Sequence, residues 1–159
     1  MAKNSAKATL DATDLRILTQ LQRDGRMSNA DLSEAVNLSP SACHRRVQRL
    51  EEAGIIRAYV ALLDPRKIGV PTTVFVEITL SGQADEVLDA FERAVARIPD
   101  VLECHLMAGT ADYILKVVAE DTEDFARIHR QHLARLPGVA QMQSSFALRT
   151  VFKTTALPL

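Results

Sequence analysis

Leu38-Ser39-Pro40-Ser41-Ala42-Cys43-His44-Arg45-Arg46-Val47-Gln48-Arg49-Leu50-Glu51-Glu52-Ala53-Gly54 reads as one capped helix carrying a cluster of cationic side chains. Ser39 can accept from the orphan N–H groups of the first turn, and Pro40 suits the first helical position. Gly54 can take the left-handed conformation that ends the helix. Cys43, Val47 and Leu50 fall at i, i+4, i+7 and give one apolar stripe. That leaves Ser41, Ala42, Arg45, Arg46 and Arg49 to face outward. A short helix with small residues at its start and arginines behind suits insertion into a DNA major groove.

Upstream of this helix, Asp11 or Thr13 can cap a first helix whose Leu15, Leu18 and Leu21, with Ile17 beside them, form an apolar stripe ending near Gly25. Ser28 caps a second, short helix through Ala35, with Leu32 and Val36 inward. Asn37-Leu38-Ser39 then turns into the basic helix. Helix, short helix, tight turn and longer basic helix is the helix-turn-helix order. Downstream, Ile55 to Leu63 reads as extended, a small wing or strand. Asp64-Pro65 and Gly69-Val70-Pro71 mark a linker over residues 64–72. The expected division is an arm and winged helix-turn-helix over 1–63 and a second domain over 73–159.

The second half contains an internal repeat. Ile98-Pro99-Asp100-Val101 recurs as Leu136-Pro137-Gly138-Val139, each copy after an amphipathic helix and before a strand. The helices are expected at about 83–97, burying Val87, Leu88, Phe91 and Val95, and at about 122–135, burying Phe125, Ile128 and Leu133. Strands are expected at Val74–Leu80, Val101–Met107, Tyr113–Ala119 and Ala140 through Phe152. The order β-α-β-β-α-β is a ferredoxin-like split motif, so the fold class is α+β. Both helices cover one sheet face, and no third layer remains for the other, which implies pairing with a second copy.

Composition narrows the function classes. The chain has 159 residues, 47% of them apolar, enough for packed cores. It has no Trp and only 4% aromatics, which argues against a broad base-stacking surface. The net charge of −1 hides an asymmetry, with eleven Lys and Arg against eight Asp and Glu in residues 1–67, and eight against twelve in the rest. A mildly basic front and an acidic back fit a nucleic-acid module joined to something else. Cys43 and Cys104 are too few for a disulfide framework or a zinc site and read as reduced, buried thiols. No apolar run approaches the ~20 residues of a bilayer span. Met1–Lys7 lacks the apolar core of a secretory signal and reads as a loose basic arm. The expected location is the cytoplasm.

With both halves placed, the chain resembles the leucine-responsive regulator/AsnC (Lrp/AsnC) family of bacterial transcription factors from about residue 10 to 159. The resemblance rests on Leu38-Ser39-Pro40 followed by Arg46-Val47 and Leu50-Glu51, on Gly54-Ile55-Ile56, on Gly109 through Asp112-Tyr113, and on Leu136-Pro137-Gly138-Val139. It implies an N-terminal winged helix-turn-helix and a C-terminal ligand-sensing domain. It further implies dimers paired through the C-terminal domains, assembly up to octamers, DNA bending, and control by a small molecule. The expected effector is an amino acid, leucine or another branched-chain one, because the whole chain is most similar to leucine-responsive members.

The candidate DNA-contacting residues are Ser28, Asn29, Ser39, Ser41, Ala42, His44, Arg45, Arg46 and Arg49. Ser41, Ala42 and His44 sit where base edges are usually read, while Arg45 and Arg49 can reach guanine edges or phosphates. Arg46 can be partly structural. Ser28 and Asn29 can offer backbone N–H groups to a phosphate, although capping explains Ser28 equally well. Lys3 and Lys7 would add only salt-sensitive attraction. The resemblance implies an effector pocket at an interface between subunits, with Met107, Gly109, Thr110, Ala111, Asp112 and Tyr113 as the candidate residues and Ser144, Ser145 and Phe146 of the last strand as neighbours across that interface. Gly109 is expected to supply a positive φ in a hairpin turn. A glycine turn also leaves backbone N–H groups approachable by an α-carboxylate, and Asp112 can meet an α-ammonium or order the loop. The family often has an acidic and an aromatic residue where Thr110-Ala111 stand, so this loop is smaller and less charged.

Other chemistry is less well supported. His129 and His132 lie i, i+3 on one helix, but neither they nor His105 has partners at a spacing that completes a tetrahedral metal set. No catalytic triad, phosphate-binding glycine loop or paired-carboxylate constellation is present, so neither enzymatic activity nor a cofactor is expected. Two other functions share these features: a nucleoid-organising protein that binds DNA broadly, and a tetrapyrrole decarboxylase, an enzyme class of the same two-domain architecture. The intact recognition helix counts against the second.

Overall fold

The computed structural model describes residues 10–159; the arm Met1–Lys7, with Lys3 and Lys7, lies outside the described residues. The chain divides into two compact units, one reaching Leu62 and regaining the chain at Phe152–Leu159, the other spanning Leu63–Val151. The return of residues 152–159 to the first unit departs from the expected single boundary.

In the first unit, α1 (Ala12–Arg23) is capped by Asp11, whose carboxylate accepts from the Thr13 and Asp14 amides, both at 2.8 Å. Asp14 returns the bond by accepting the Asp11 N–H at 3.1 Å, a capping box. Ser28 caps α2 (Asn29–Ala35), and Ser39 caps α3 (Pro40–Glu52) with Pro40 in its first turn. The turn between α2 and α3 is made by Asn37 at φ 56°, a left-handed conformation that Asn adopts at little cost. Gly54, at φ 69°, ends α3, and the Ile55 and Ile56 N–H groups fold back onto the Leu50 carbonyl. Ile17, Leu18, Leu32, Val36, Cys43 and Leu50 form the buried core, with Ile55 and Ile56 packed against it. The expected wing strand is absent: residues 57–63 form no ladder, because no described segment pairs with them.

The second unit runs β1 (Thr72–Leu80), α4 (Asp85–Val95), β2 (Val101–Leu106), β3 (Tyr113–Ala119), α5 (Thr122–Gln131), a 3₁₀ turn (Leu133–Arg135) and β4 (Val139–Phe146). The sheet order is β2-β3-β1-β4 with every neighbour antiparallel, the ferredoxin-like arrangement. Each repeat copy starts a strand with its last residue, and Ile98 and Leu136 both drop into the core. Strand parity sets the faces. Val74, Val76 and Ile78 of β1 and Tyr113, Leu115 and Val117 of β3 point to the helices and are fully buried or nearly so. Phe75, Glu77, Glu103, His105, Lys116, Gln143 and Ser145 occupy the opposite, open face by register. β4 stops at Phe146 rather than Phe152 because its partner β1 begins at Thr72; the Ala147 N–H to the Thr73 carbonyl, 2.9 Å, is the last rung.

Candidate nucleic-acid interface and effector loop

On α3 the apolar stripe turns Cys43 and Leu50 inward, which places Ser41, His44, Arg45 and Gln48 together on the exposed side at i, i+3, i+4, i+7. Ser39 is engaged as the cap, accepting from the Ala42 N–H at 3.3 Å, and Ala42 is half-buried. Arg45 and His44 form no side-chain hydrogen bond or ion pair among the described residues, so their donors stay available to a ligand. Gln48 was not singled out in the sequence, although its spacing of three and seven from Arg45 and Ser41 places it on the same face. It bonds Glu52 at 3.0 Å along the helix.

The other two arginines behave differently. Asp14 of α1 is completely buried, and its carboxylate accepts from Arg46 Nη1 at 2.8 Å and Arg49 Nη2 at 2.6 Å. Arg46 also bonds the Asp11 carboxylate at 2.7 Å. Arg46 is half-buried and structural, while Arg49 pairs with Asp14 and still keeps 57% of its side chain exposed. A buried carboxylate needs cationic partners, and α3 supplies both. The hydrogen bond from Arg46 is the main reason the Asp11 carboxyl is lowered to about 2, with the Asp14 backbone N–H also contributing. The clamp ties α3 to α1 and leaves Arg45 as a cation of the exposed α3 face with no side-chain partner among the described residues.

At the start of the second helix the side chains of Ser28 and Asn29 are engaged. Ser28 Oγ accepts the Asp31 N–H at 3.1 Å and donates to its carboxylate at 2.7 Å. The Asn29 amide donates to the Pro40 carbonyl at 2.9 Å, pinning the start of α2 to the start of α3.

Between β2 and β3, Met107, Ala108, Gly109 and Thr110 are exposed. The Met107 N–H bonds the Asp112 carbonyl at 2.8 Å and closes the hairpin. Gly109 does not adopt the expected positive φ; the positive-φ glycines are Gly54, Gly69 and Gly138. The connection is long enough to turn through ordinary backbone angles, and a Cβ at Gly109 would meet nothing within 4 Å. Asp112 orders the loop: its oxygens accept the Leu80 N–H at 2.7 Å and the Gln83 amide at 2.8 Å. Tyr113 faces the core, 1% exposed, with its hydroxyl donating to Glu92 at 2.7 Å. Burial, and then that bond, push its phenol up. It lines a cleft of about 400 Å³ beside β2, with Glu92, Cys104 and Leu106, rather than the loop surface. Burial followed by the Glu92 charge pushes the Cys104 thiol up to about 11. On β4, Ser144 and Phe146 point to the helix side, Phe146 edge-on to Phe125 at 5.2 Å, while Ser145 alone joins the open face. The three do not form one wall. Among the described residues no three His, Cys, Asp or Glu side chains form a metal-sized group, and no helix is long and apolar enough to cross a membrane.

Residues 73–157 match the Lrp/AsnC ligand binding domain, and residues 10–57 match a winged helix-turn-helix DNA-binding domain. The leucine-responsive regulatory protein of Haemophilus influenzae is 42% identical over 159 residues, covering 100% of this chain and 95% of that protein. The protein of the same name from Escherichia coli is 41% identical over 148 residues, 93% and 90% of the two chains. Among solved structures, a Neisseria meningitidis transcriptional regulator in complex with L-Met superposes with a TM-score of 0.89 at 40% identity, covering 94% of this chain and 97% of that one. An AsnC family transcriptional regulator from Agrobacterium tumefaciens gives 0.90 at 38% identity, with the same coverage. A reading helix clamped by a buried carboxylate, a split β-α-β sheet and these matches over both units agree: the chain belongs to the Lrp/AsnC family of DNA-binding transcriptional regulators.

Proposed function

We propose that this regulator reads DNA through the α3 face of Ser41, His44, Arg45 and Gln48, and that an amino acid with an apolar side chain controls it. The observation that carries the DNA reading is the division of labour among the three arginines. Arg46 and Arg49 are tied to buried Asp14, so the helix is held rigid while Arg45 keeps all its donors. A cation on the second turn of a helix entering the major groove can meet a guanine edge or a phosphate. The amino-acid reading is supported by relatives named for leucine and by a neighbour solved with L-Met. The hairpin of Met107–Asp112, held by Asp112, presents exposed backbone for an α-carboxylate. The open sheet face, with Phe75 40% exposed, pairs with a second copy and gives the dimer that binds two half-sites. An effector that prefers one assembly then shifts oligomer state and DNA affinity together. The chain acts in the cytoplasm, by binding rather than by catalysis.

Two measurements test this. Binding to the chain's own upstream DNA and to random DNA, titrated at several salt concentrations, should show a preference well above tenfold. A preference below about tenfold overturns the operator reading in favour of a broad DNA-organising role. Sizing and thermal-shift measurements across the twenty amino acids should single out one or a few apolar ones. If none moves either signal, the amino-acid reading is wrong.

A further inference from the structure

The first unit is assembled from two distant stretches of sequence, and one side chain joins them. Gln22, near the end of α1, donates its amide to the Leu157 carbonyl at 3.1 Å and accepts the Leu157 N–H on Oε1 at 2.6 Å. A carboxamide has the same donor and acceptor as a peptide group, so this pair imitates one rung of a β-ladder. The neighbouring backbone is shaped for it: the Ala156 N–H bonds Thr154 Oγ1 at 3.1 Å, and Pro158 follows with its fixed φ. Leu157 and Leu159 border a groove of about 500 Å³ shared with Leu18, Leu21, Ile56 and Tyr59. The groove leads to the reading helix. Tyr59 donates its hydroxyl to Glu51 of α3 at 3.0 Å, and its ring lies against Gly25 just after α1.

The seat is shallow. Leu157 is 71% exposed, so little apolar area holds it, and the backbone grip of Gln22 is the main attachment. Segments with few buried contacts and exposed hydrogen bonds open at low free energy.

We infer that residues 154–159 form a releasable strap on the DNA-binding unit, recognised through the backbone of Leu157 by Gln22, and that its seating stiffens the path from α1 through Tyr59 to α3. The strap follows a sheet unit whose last strand ends at Phe146, so the connection to that unit is only a few residues long.

The test is a mutant cycle read by native-state hydrogen exchange on the full chain. Gln22→Ala removes the grip, Leu157→Pro removes the donated N–H, and Leu157→Ala keeps the backbone while trimming the side chain. Gln22→Ala and Leu157→Pro should each speed exchange in residues 18–25 and 55–60 by about fivefold, the loss of one or two modest hydrogen bonds. The double variant should be no faster than either single one. Leu157→Ala should stay within about twofold of the parent protein. Parent-like exchange in Gln22→Ala overturns the inference. So do additive effects of the two grip variants, or a Leu157→Ala change as large as Leu157→Pro, which would place the attachment in the side chain. All three substitutions lie at exposed or half-buried positions, so loss of folding does not obscure the result.

Discussion

Asp14→Asn isolates the clamp on the reading helix. The substitution preserves shape and volume, so no cavity term enters. The native carboxylate takes three donors: the Asp11 N–H at 3.1 Å, Arg46 Nη1 at 2.8 Å and Arg49 Nη2 at 2.6 Å. An amide offers one oxygen. Placed at the Oδ2 position, it keeps Asp11 and Arg49 and turns an NH₂ toward the Arg46 guanidinium, donor against donor. In the opposite flip, two bonds are lost. The cheaper arrangement forfeits one charge-assisted bond and weakens another, each worth roughly 1.5–3 kcal/mol when buried. The arginines can retreat to water, since their side chains are 31% and 57% exposed, and this offsets part of the loss. The balance is a destabilisation of about 2 kcal/mol. For a unit of this size that lowers Tm by about 10 °C. Scanning calorimetry on the full chain, with hydrogen exchange on α1 and α3 amides to assign the transition, measures it. Asp89→Asn is the control. It removes a weak exposed pair to Arg93 at 3.7 Å and should shift Tm by less than about 2 °C. A loss below about 3 °C in Asp14→Asn would mean that the carboxylate charge is not what holds α3 in place.

Arg45→Ala should leave the melting transition within about 1 °C, as usual for an unpaired surface residue. It should weaken operator binding and reduce the salt slope by about one if Arg45 meets a phosphate; unchanged binding and slope remove it from the interface. Gly138→Ala should destabilise the second unit by about 2–3 kcal/mol, because φ is +73° and the new Cβ would lie 2.8 Å from Val87 Cγ1. A melting curve that matches the parent refutes it. Asp11 supplies a pH signature. Its folded pKa of about 2 lies below the ordinary 3.8, so its contribution is complete above pH ~4 and fades as pH falls toward 2. Acid unfolding followed by circular dichroism should show this slope in the parent and a flatter one in Asp11→Asn; identical slopes would contradict the assigned pairing.

Local signals were the readable part of the chain. Ser28, Ser39, Pro40 and Gly54 do what capping chemistry requires, since each acts within a turn of its own position. The repeat at Ile98 and Leu136 marked both βα halves because the same packing problem was solved twice. What escaped depended on distance. Asp14 looks like an ordinary first-turn acid, and its burial follows from arginines 32 and 35 residues away. Arg49 reads as free for the same reason, whereas a structural part for Arg46 is anticipated. The extended apolar run after Gly54 carries the residue types of a strand, but a strand exists only where another chain segment lies beside it. The β4 overshoot has the same origin in the start of β1 at Thr72. Ser145 parted from Ser144 and Phe146 by parity alone, a rule the sequence offers once the strand is known. That Asp112 orders its loop was readable from the turn, but its partners Leu80 and Gln83, 32 and 29 residues away, are encoded by no local pattern.

The Gln22 grip also sets an order of events on the ribosome. Its two partners are 135 residues apart in the chain. At typical translation rates of about 5–20 residues per second, Leu157 emerges on the order of ten seconds after Gln22. Throughout that interval the capped helices can assemble, while the groove beside Tyr59, Val60 and Leu62 stays open until the whole sheet unit has been synthesised. The first unit to be translated is thus among the last to be finished, and a nascent chain carries an unstrapped DNA-reading helix for most of its time on the ribosome.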